Sequence, residues 1–276
     1  MKKFILKVLN PKSAAVALSL LAVVGVVGFA GASHSWASYH WARTANPFNL
    51  KVGNNLSSQW QASLATASSD WSASTVLDTT IVAGTKNPRT CKPTLGRIEA
   101  CNSKYGKNGW LGIAQIWVSG THIVQGTVKV NDTYFNTTKY NKPSWRRLVM
   151  CQEIAHDFGL DHQDESFTNP NLGTCMDYTN DPTGTAGTNG TLNNEHPNQH
   201  DFDQLVAIYT HLDSTNTSFA PTNGARGNSD INTDDRSEWG KAIRKSKDGR
   251  NSLFERDLGK GQKVFTFVIW ADEGAN

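Results

Sequence analysis

Charge is scarce in this sequence. Only 18% of its 276 residues are Asp, Glu, Lys or Arg, against about a quarter in ordinary soluble domains. No run of like charge is present, which excludes an acidic or basic interaction tail. Methionine is rarer still, with Met1, Met150 and Met176 only. Glycine (23) and proline (9) stand at ordinary levels, so collagen-like and Pro-rich spacer classes are out. There is no internal repeat, and no segment after residue 32 is apolar enough to span a bilayer. Cysteine is limited to Cys91, Cys101, Cys151 and Cys175, with no CxxC pair, which disfavours a site of four thiolates. What the chain does have is nine tryptophans and 38% hydrophobic residues, enough for a packed core. The length suits one large domain or two small ones.

Residues 1–32 are a different kind of sequence. Lys2, Lys3, Lys7 and Lys12 precede an uncharged apolar stretch that closes on Ala30-Gly31-Ala32. That is the layout of a secretory signal peptide, cleaved after Ala32 or at Ser35-Trp36-Ala37. An uncleaved anchor is the alternative. The whole chain carries +3, from 27 basic and 24 acidic residues. Cleavage removes four of the 27 and none of the 24, leaving 23 against 24 and a charge of −1. The basic balance therefore belongs to the export signal and gives no pointer to nucleic acid. In an exported chain four cysteines read as two disulfides, and spacing favours Cys91–Cys101 and Cys151–Cys175 among three connectivities.

The pattern along the chain predicts an α+β fold. Strands are expected at 48–52 and 77–82, and a hairpin at 110–118 and 122–134 around Ser119-Gly120. Helices are expected at 60–72, from Ser144 to Gly159, and at 201–212. The segment 91–101 reads as turns, and 169–198 as a long Gly/Thr/Asn/Pro loop. A polar linker, 214–235, leads to a small β-meander, 236–276, which binds a partner or packs back on the main domain. His34 and His40, in the N-terminal arm, read as solvated. Asn55 and Asn131 each open a glycosylation sequon.

One stretch carries chemistry: Gln152-Glu-Ile-Ala-His156-Asp-Phe-Gly159-Leu-Asp-His162. Positions 152 and 156 share a helix face. Gly159 permits a sharp left-handed turn that brings His162 back toward His156. Two imidazoles and a carboxylate then converge, a set that suits Zn²⁺ and a metal-activated water.

The stretch resembles the metzincin metalloprotease motif HExxHxxGxxH, and Cys175-Met176-Asp177-Tyr178 resembles its Met-turn. The likeness spans roughly residues 45–213, and the order of elements is similar to the matrixin-like branch. It implies a mixed twisted sheet with a zinc helix and a C-terminal helix, in a domain at 33–213. It implies His156 and His162 as zinc ligands, Glu153 as general base and Met176 beneath the metal. A Cys151–Cys175 bridge would staple the zinc helix to the Met-turn and leave Cys91–Cys101 as the second pair. The strand 122–130 becomes the candidate edge for an extended substrate.

Gln152 departs from the family, which has histidine there. Three outcomes stay open: Gln152 ligates zinc, or His196, His200 or Asp161 replaces it, or the site is metal-poor and silent. Calcium is a further candidate ion at Asp177 and Asp181. No cysteine lies between Ser33 and Pro47, so no cysteine switch is present there. The functional expectation is a secreted zinc endopeptidase acting on peptides or proteins. It is a monomer by default, with neither a nucleic-acid partner nor a membrane partner after signal cleavage. The alternative is a silent relative that binds peptides or proteins.

Overall fold

The structure, a computed structural model, describes residues 38–219 and 234–272. The expected signal peptide, its cleavage positions and His34 lie outside them.

The described strands form one mixed sheet. They are β1 (His40–Trp41), β2 (Phe48–Asn55), β3 (Leu77–Ala83), β4 (Arg97–Ser103), β5 (Trp110–Ser119), β6 (His122–Asn131), β7 (Lys241–Lys245), β8 (Asn251–Gly259) and β9 (Gln262–Trp270). Their order is β3-β2-β4-β6-β5-β9-β8-β7, with β1 paired beside β6. The β3, β2, β4 and β6 ladders are parallel, whereas β5 runs antiparallel to both β6 and β9. The helices are few: α1 (Gln61–Trp71), the single turn α2 (Asp132–Phe135), α3 (Pro143–His156) and α4 (Gln199–Ile208).

Strand β4 falls partly in the segment expected to be turns. Its sequence, Arg-Ile-Glu-Ala-Cys-Asn-Ser, holds a single β-branched residue, Ile98, and no aromatic, too little to signal a strand. It is held instead by neighbours on both sides and by a buried polar set. Glu99 accepts from Asn55 (2.7 Å), Thr94 (2.5 Å) and Arg97 (2.7 Å). The Cys91–Cys101 disulfide ties the preceding loop to this strand. The same contacts remove Asn55 from the surface, and Asn131 is fully buried at the start of α2. Neither sequon is therefore presented for glycosylation in the folded chain.

The helices start where local chemistry allows. Pro143 occupies the first turn of α3, with Lys142 rather than Ser144 at the cap. Asn198 and Asp201 form a reciprocal capping box that starts α4 two residues before the expected position. Trp60, Leu64 and Trp71 bury one face of α1 against α3, in the main core with Trp145, Leu148 and Val149.

The long loop, 169–198, is organised by its own buried amides. Asn171 donates to the carbonyls of Asp181 (2.8 Å) and Leu192 (2.7 Å). Asn189 donates to those of Phe167 (3.0 Å) and Asn169 (2.7 Å). Such bonds replace the ladder that a strand would provide.

The expected meander forms from β7, β8 and β9, but it continues the main sheet. Strand β9 pairs along the whole of β5, and Ser33–Asn276 make up one unit. Of the expected linker, 214–219 and 234–235 are among the described residues.

Candidate metal centre and active site

Helix α3 is fixed on both flanks. The Trp71 indole donates to the Cys151 carbonyl (3.1 Å), anchoring α1 to it. The Cys151–Cys175 disulfide joins it to the buried turn Cys175–Tyr178. Closing a loop with a sequence separation of 24 contributes about 3 kcal/mol in the chain-entropy account. The helix stops at Gly159, whose φ is +99°. The Leu160 amide reaches back to the Ala155 carbonyl (3.2 Å) to close the turn. A Cβ at Gly159 would lie 2.5 Å from the Tyr39 carbonyl oxygen, so conformation and close approach both require glycine.

That turn brings His162 onto His156. Their Nε2 atoms are 2.9 Å apart and the rings meet edge to face. The other nitrogen of each ring faces an acceptor. His156 Nδ1 donates to the Leu160 carbonyl (2.8 Å), and His162 Nδ1 donates to Glu165 Oε1 (2.6 Å). Burial raises the Glu165 pKa, but the His162 hydrogen bond and the His162 and Arg244 charges outweigh it and leave the carboxyl below its ordinary value. With both Nδ1 atoms donating, the two Nε2 atoms face each other, an arrangement satisfied either by a metal ion shared between neutral rings or by a proton on one Nε2. A carbonyl or carboxylate behind a ligating imidazole is the usual orienting partner at metal sites.

Gln152 lies one turn before His156 on α3 and is fully buried, and neither atom of its amide has a hydrogen-bond partner. Glu153 is 1% exposed with both oxygens unpartnered. It rests on β5, where Gly112 makes room: a Cβ there would lie 2.6 Å from Glu153 Oε1. Asp157 repeats the arrangement over Gly126 of β6, where a Cβ would lie 2.2 Å from its Oδ1. Burial raises both carboxyls well above the ordinary range, and the Asp157 charge raises Glu153 further. Two nitrogen donors with oriented partners, an unpartnered amide and a raised carboxyl form a donor set that fits a divalent zinc ion.

The C-terminal strands cover this centre. The Phe267 ring of β9 stacks on His156, with centroids 4.0 Å apart and planes at 11°. Tyr178 donates from its hydroxyl to the Val268 carbonyl (2.9 Å), and its ring meets His162. Arg244 of β7 grips Asp161 with both terminal nitrogens, and Lys247 pairs with Asp164. Ser252 donates to Glu165 Oε2 (2.9 Å). A polar depression of about 340 Å³ lies between residues 161–165 and Arg244, Lys245 and Lys247.

The candidate substrate edge needs correction. Strand β6, expected to offer it, is internal: β5 pairs along one side, and β1 and β4 along the other. Tertiary pairing decides which strand ends a sheet, and alternation in a single strand carries no such signal. The next strand beside the centre, β5, is internal as well, with β6 on one side and β9 on the other.

Of the other candidates, Asp161 stays close, its donor atom within 4.8 Å of those of His162 and Glu165, while His196 and His200 lie elsewhere. His196 bonds through Nδ1 to Asp70 of α1 (2.6 Å), His200 sits in the first turn of α4, and Asp161 belongs to Arg244. Met176 is fully buried, and its carbonyl accepts from the Gln163 amide (2.6 Å), which holds the turn alongside the His162 segment. Asp177 accepts from Leu172 (2.9 Å) and Asn194 (2.8 Å), and Asp181 from Ala186 (2.7 Å) and Thr183 (3.0 Å). Both carboxylates serve the loop, and neither joins a metal-binding group among the described residues, so calcium finds no support. Sequence reasoning missed Asp157, Glu165, Arg244 and Phe267. Asp157 was discernible at helical spacing from Glu153; the others come from tertiary packing. His40, expected in solvent, is 3% exposed.

No protein-family model matches the chain. No curated protein matches it either. Among solved structures it is similar to high choriolytic enzyme 1, a hatching enzyme zinc-protease from the medaka fish Oryzias latipes. The identity is 10%, the TM-score is 0.35, and the overlap covers 63% of this chain and 96% of that one.

Proposed function

We propose that this chain is a secreted zinc-dependent endopeptidase of metzincin type. The observation that supports the reading most is the pair of Nε2 atoms of His156 and His162, aimed at each other while a carbonyl and a carboxylate hold each Nδ1. In this reading those two nitrogens hold the ion, and Gln152 supplies the neighbouring amide oxygen. Zinc, when bound, supplies a Lewis acid and an acidified water. Glu153 then has the general-base role: its raised pKa suits accepting a proton and passing it to a leaving amine. The fold excludes bulk water from Glu153 and keeps its carboxylate over Gly112.

An extended peptide entering this site would pair with the side of β5 away from β6. Because β9 occupies that side, we take the chain as described to be a closed form, in which the meander must leave before a substrate enters. Export is part of the same proposal: it rests on the 1–32 segment and accords with the two disulfides. Among the described residues no helix is long and apolar enough to cross a membrane.

A second reading has its own support. Gln152 offers a neutral amide oxygen where the metzincin motif has imidazole, and such oxygens suit zinc poorly. In that reading the chain is a silent relative that binds peptides or proteins. Cleavage of an unstructured protein substrate by wild type and Glu153→Gln, with zinc counted in both, separates the two. The enzyme reading predicts equal zinc and a loss of about 10²-fold or more in the variant. Equal, background-level cleavage in both would leave the binding module.

A further inference from the structure

Three of the eight histidines meet far along the chain from the QExxH helix. His40 lies on β1, His122 opens β6, and His211 follows α4. All three aim Nε2 at one oxygen, Asp213 Oδ1, at 3.4, 3.2 and 3.6 Å respectively. His40 and His211 also approach each other, Nε2 to Nε2, at 3.1 Å. The rings of His122 and His211 each stand edge to face against His40.

The partners behind these groups orient them. His40 Nδ1 donates to the Ser38 carbonyl (2.7 Å), so the neutral ring presents a bare lone pair at Nε2. That lone pair faces a carboxylate oxygen and a second imidazole nitrogen. The other carboxylate oxygen, Asp213 Oδ2, is already taken: it accepts from the Arg43 guanidinium (2.8 Å) and the Arg43 amide (3.1 Å). Acceptors that face one another, two of them on the buried side chains of His40 and Asp213, are satisfied by a positive ion among them. The mutual separations of His40, His211 and Asp213, 3.1, 3.4 and 3.6 Å, are those of donors sharing one ion. Zinc bound at about 2.0–2.1 Å to each donor sets neighbouring donors roughly 3.3 Å apart.

We propose that His40, His211 and Asp213 form a second metal site, for zinc or a divalent transition ion of similar chemistry, with His122 beside it on Asp213. His40, His211 and Asp213 bring their donor atoms within 4.8 Å of one another. The imidazole and carboxylate set selects this class over calcium or magnesium. The role is structural. The site clamps the N-terminal arm to the segment after α4, where the Arg43 amide donates to the Asp213 carboxylate and the Asp213 amide to the Arg43 carbonyl. It lies on elements other than the His156 and His162 centre, so either site can exist without the other.

The test counts metal in the full chain after chelation and reloading with Zn²⁺ alone. Wild type, His211→Ala and His162→Ala are compared, with Co²⁺ substitution to read coordination. The His211 side chain is 55% exposed, so its removal leaves the core intact. Two zinc per chain in wild type and one in each variant is the expected result. The zinc-dependent rise in melting temperature is also expected to shrink in His211→Ala, and the tetrahedral Co²⁺ absorption to halve. One zinc in wild type, lost in His211→Ala and kept in His162→Ala, supports this site and removes the catalytic one. Equal zinc in wild type and His211→Ala overturns the proposal and leaves a histidine cluster that binds only protons. Should His211→Ala fail to fold, anomalous scattering at the zinc edge from wild-type crystals decides: a peak among His40, His211 and Asp213 supports the site, and no peak there overturns it.

Discussion

At the residue scale the candidate centre turns on Gln152. Its amide is buried without a partner beside His156, where an unmade hydrogen bond is costly unless a ligand completes it. Replacing it with imidazole, Gln152→His, is predicted to tighten zinc by about tenfold or more, because histidine is the better donor for this ion. Competition against a chelator of known strength measures this; unchanged affinity would mean that position 152 does not face the metal. Asp177 gives a second residue-scale prediction. Burial pushes its carboxyl up to about 7, although hydrogen bonds from Asn194 and Leu172 pull the other way. The folded state therefore holds this proton more tightly than the unfolded one. Its contribution to stability is present below pH 4 and falls as the pH rises toward 7. In Asp177→Asn the melting temperature should decline less across that range, and an unaltered slope would contradict the assignment.

At the element scale the account depends on β9 lying against β5. If the meander closes the cleft, weakening its clasp should open it. Arg244→Glu with Lys247→Glu turns the ion pairs to Asp161, Glu165 and Asp164 into repulsion. A change of about 1.4 kcal/mol shifts a closed-to-open balance tenfold. Peptide cleavage by the double variant should rise by about that factor, while an unchanged rate would show that the meander does not limit access. Legibility in the sequence divides at this scale too. Helix α3, Gly159 and the turn at Met176 were readable, because helical spacing and a left-handed glycine are local signals. Strand β4 was not, since Glu99 finds Asn55 on β2 and Asn102 finds Ser57 in the loop after β2, both distant in the chain. Nor was the β9 to β5 pairing, which joins residues about 150 positions apart. The histidines of the second cluster escaped for the same reason: each is unremarkable in its own neighbourhood, and only the fold gathers them.

At the scale of the whole molecule, one mixed sheet supports two groups of converging imidazoles, one at the end of α3 and one where the N-terminal arm meets the segment after α4. The first carries the proposed activity and the second the proposed clamp. Both disulfides brace the sheet and α3 rather than the meander, which the β5–β9 ladder and the core residues Phe265, Phe267 and Ile269 hold. The central claim is that His156 and His162 hold zinc. Its most direct test is diffraction from zinc-loaded crystals on both sides of the zinc absorption edge. A full-occupancy anomalous peak within bonding distance of both Nε2 atoms, about 2.0–2.1 Å, is the predicted result. No peak there, with the two rings still in direct contact at millimolar zinc, would contradict it.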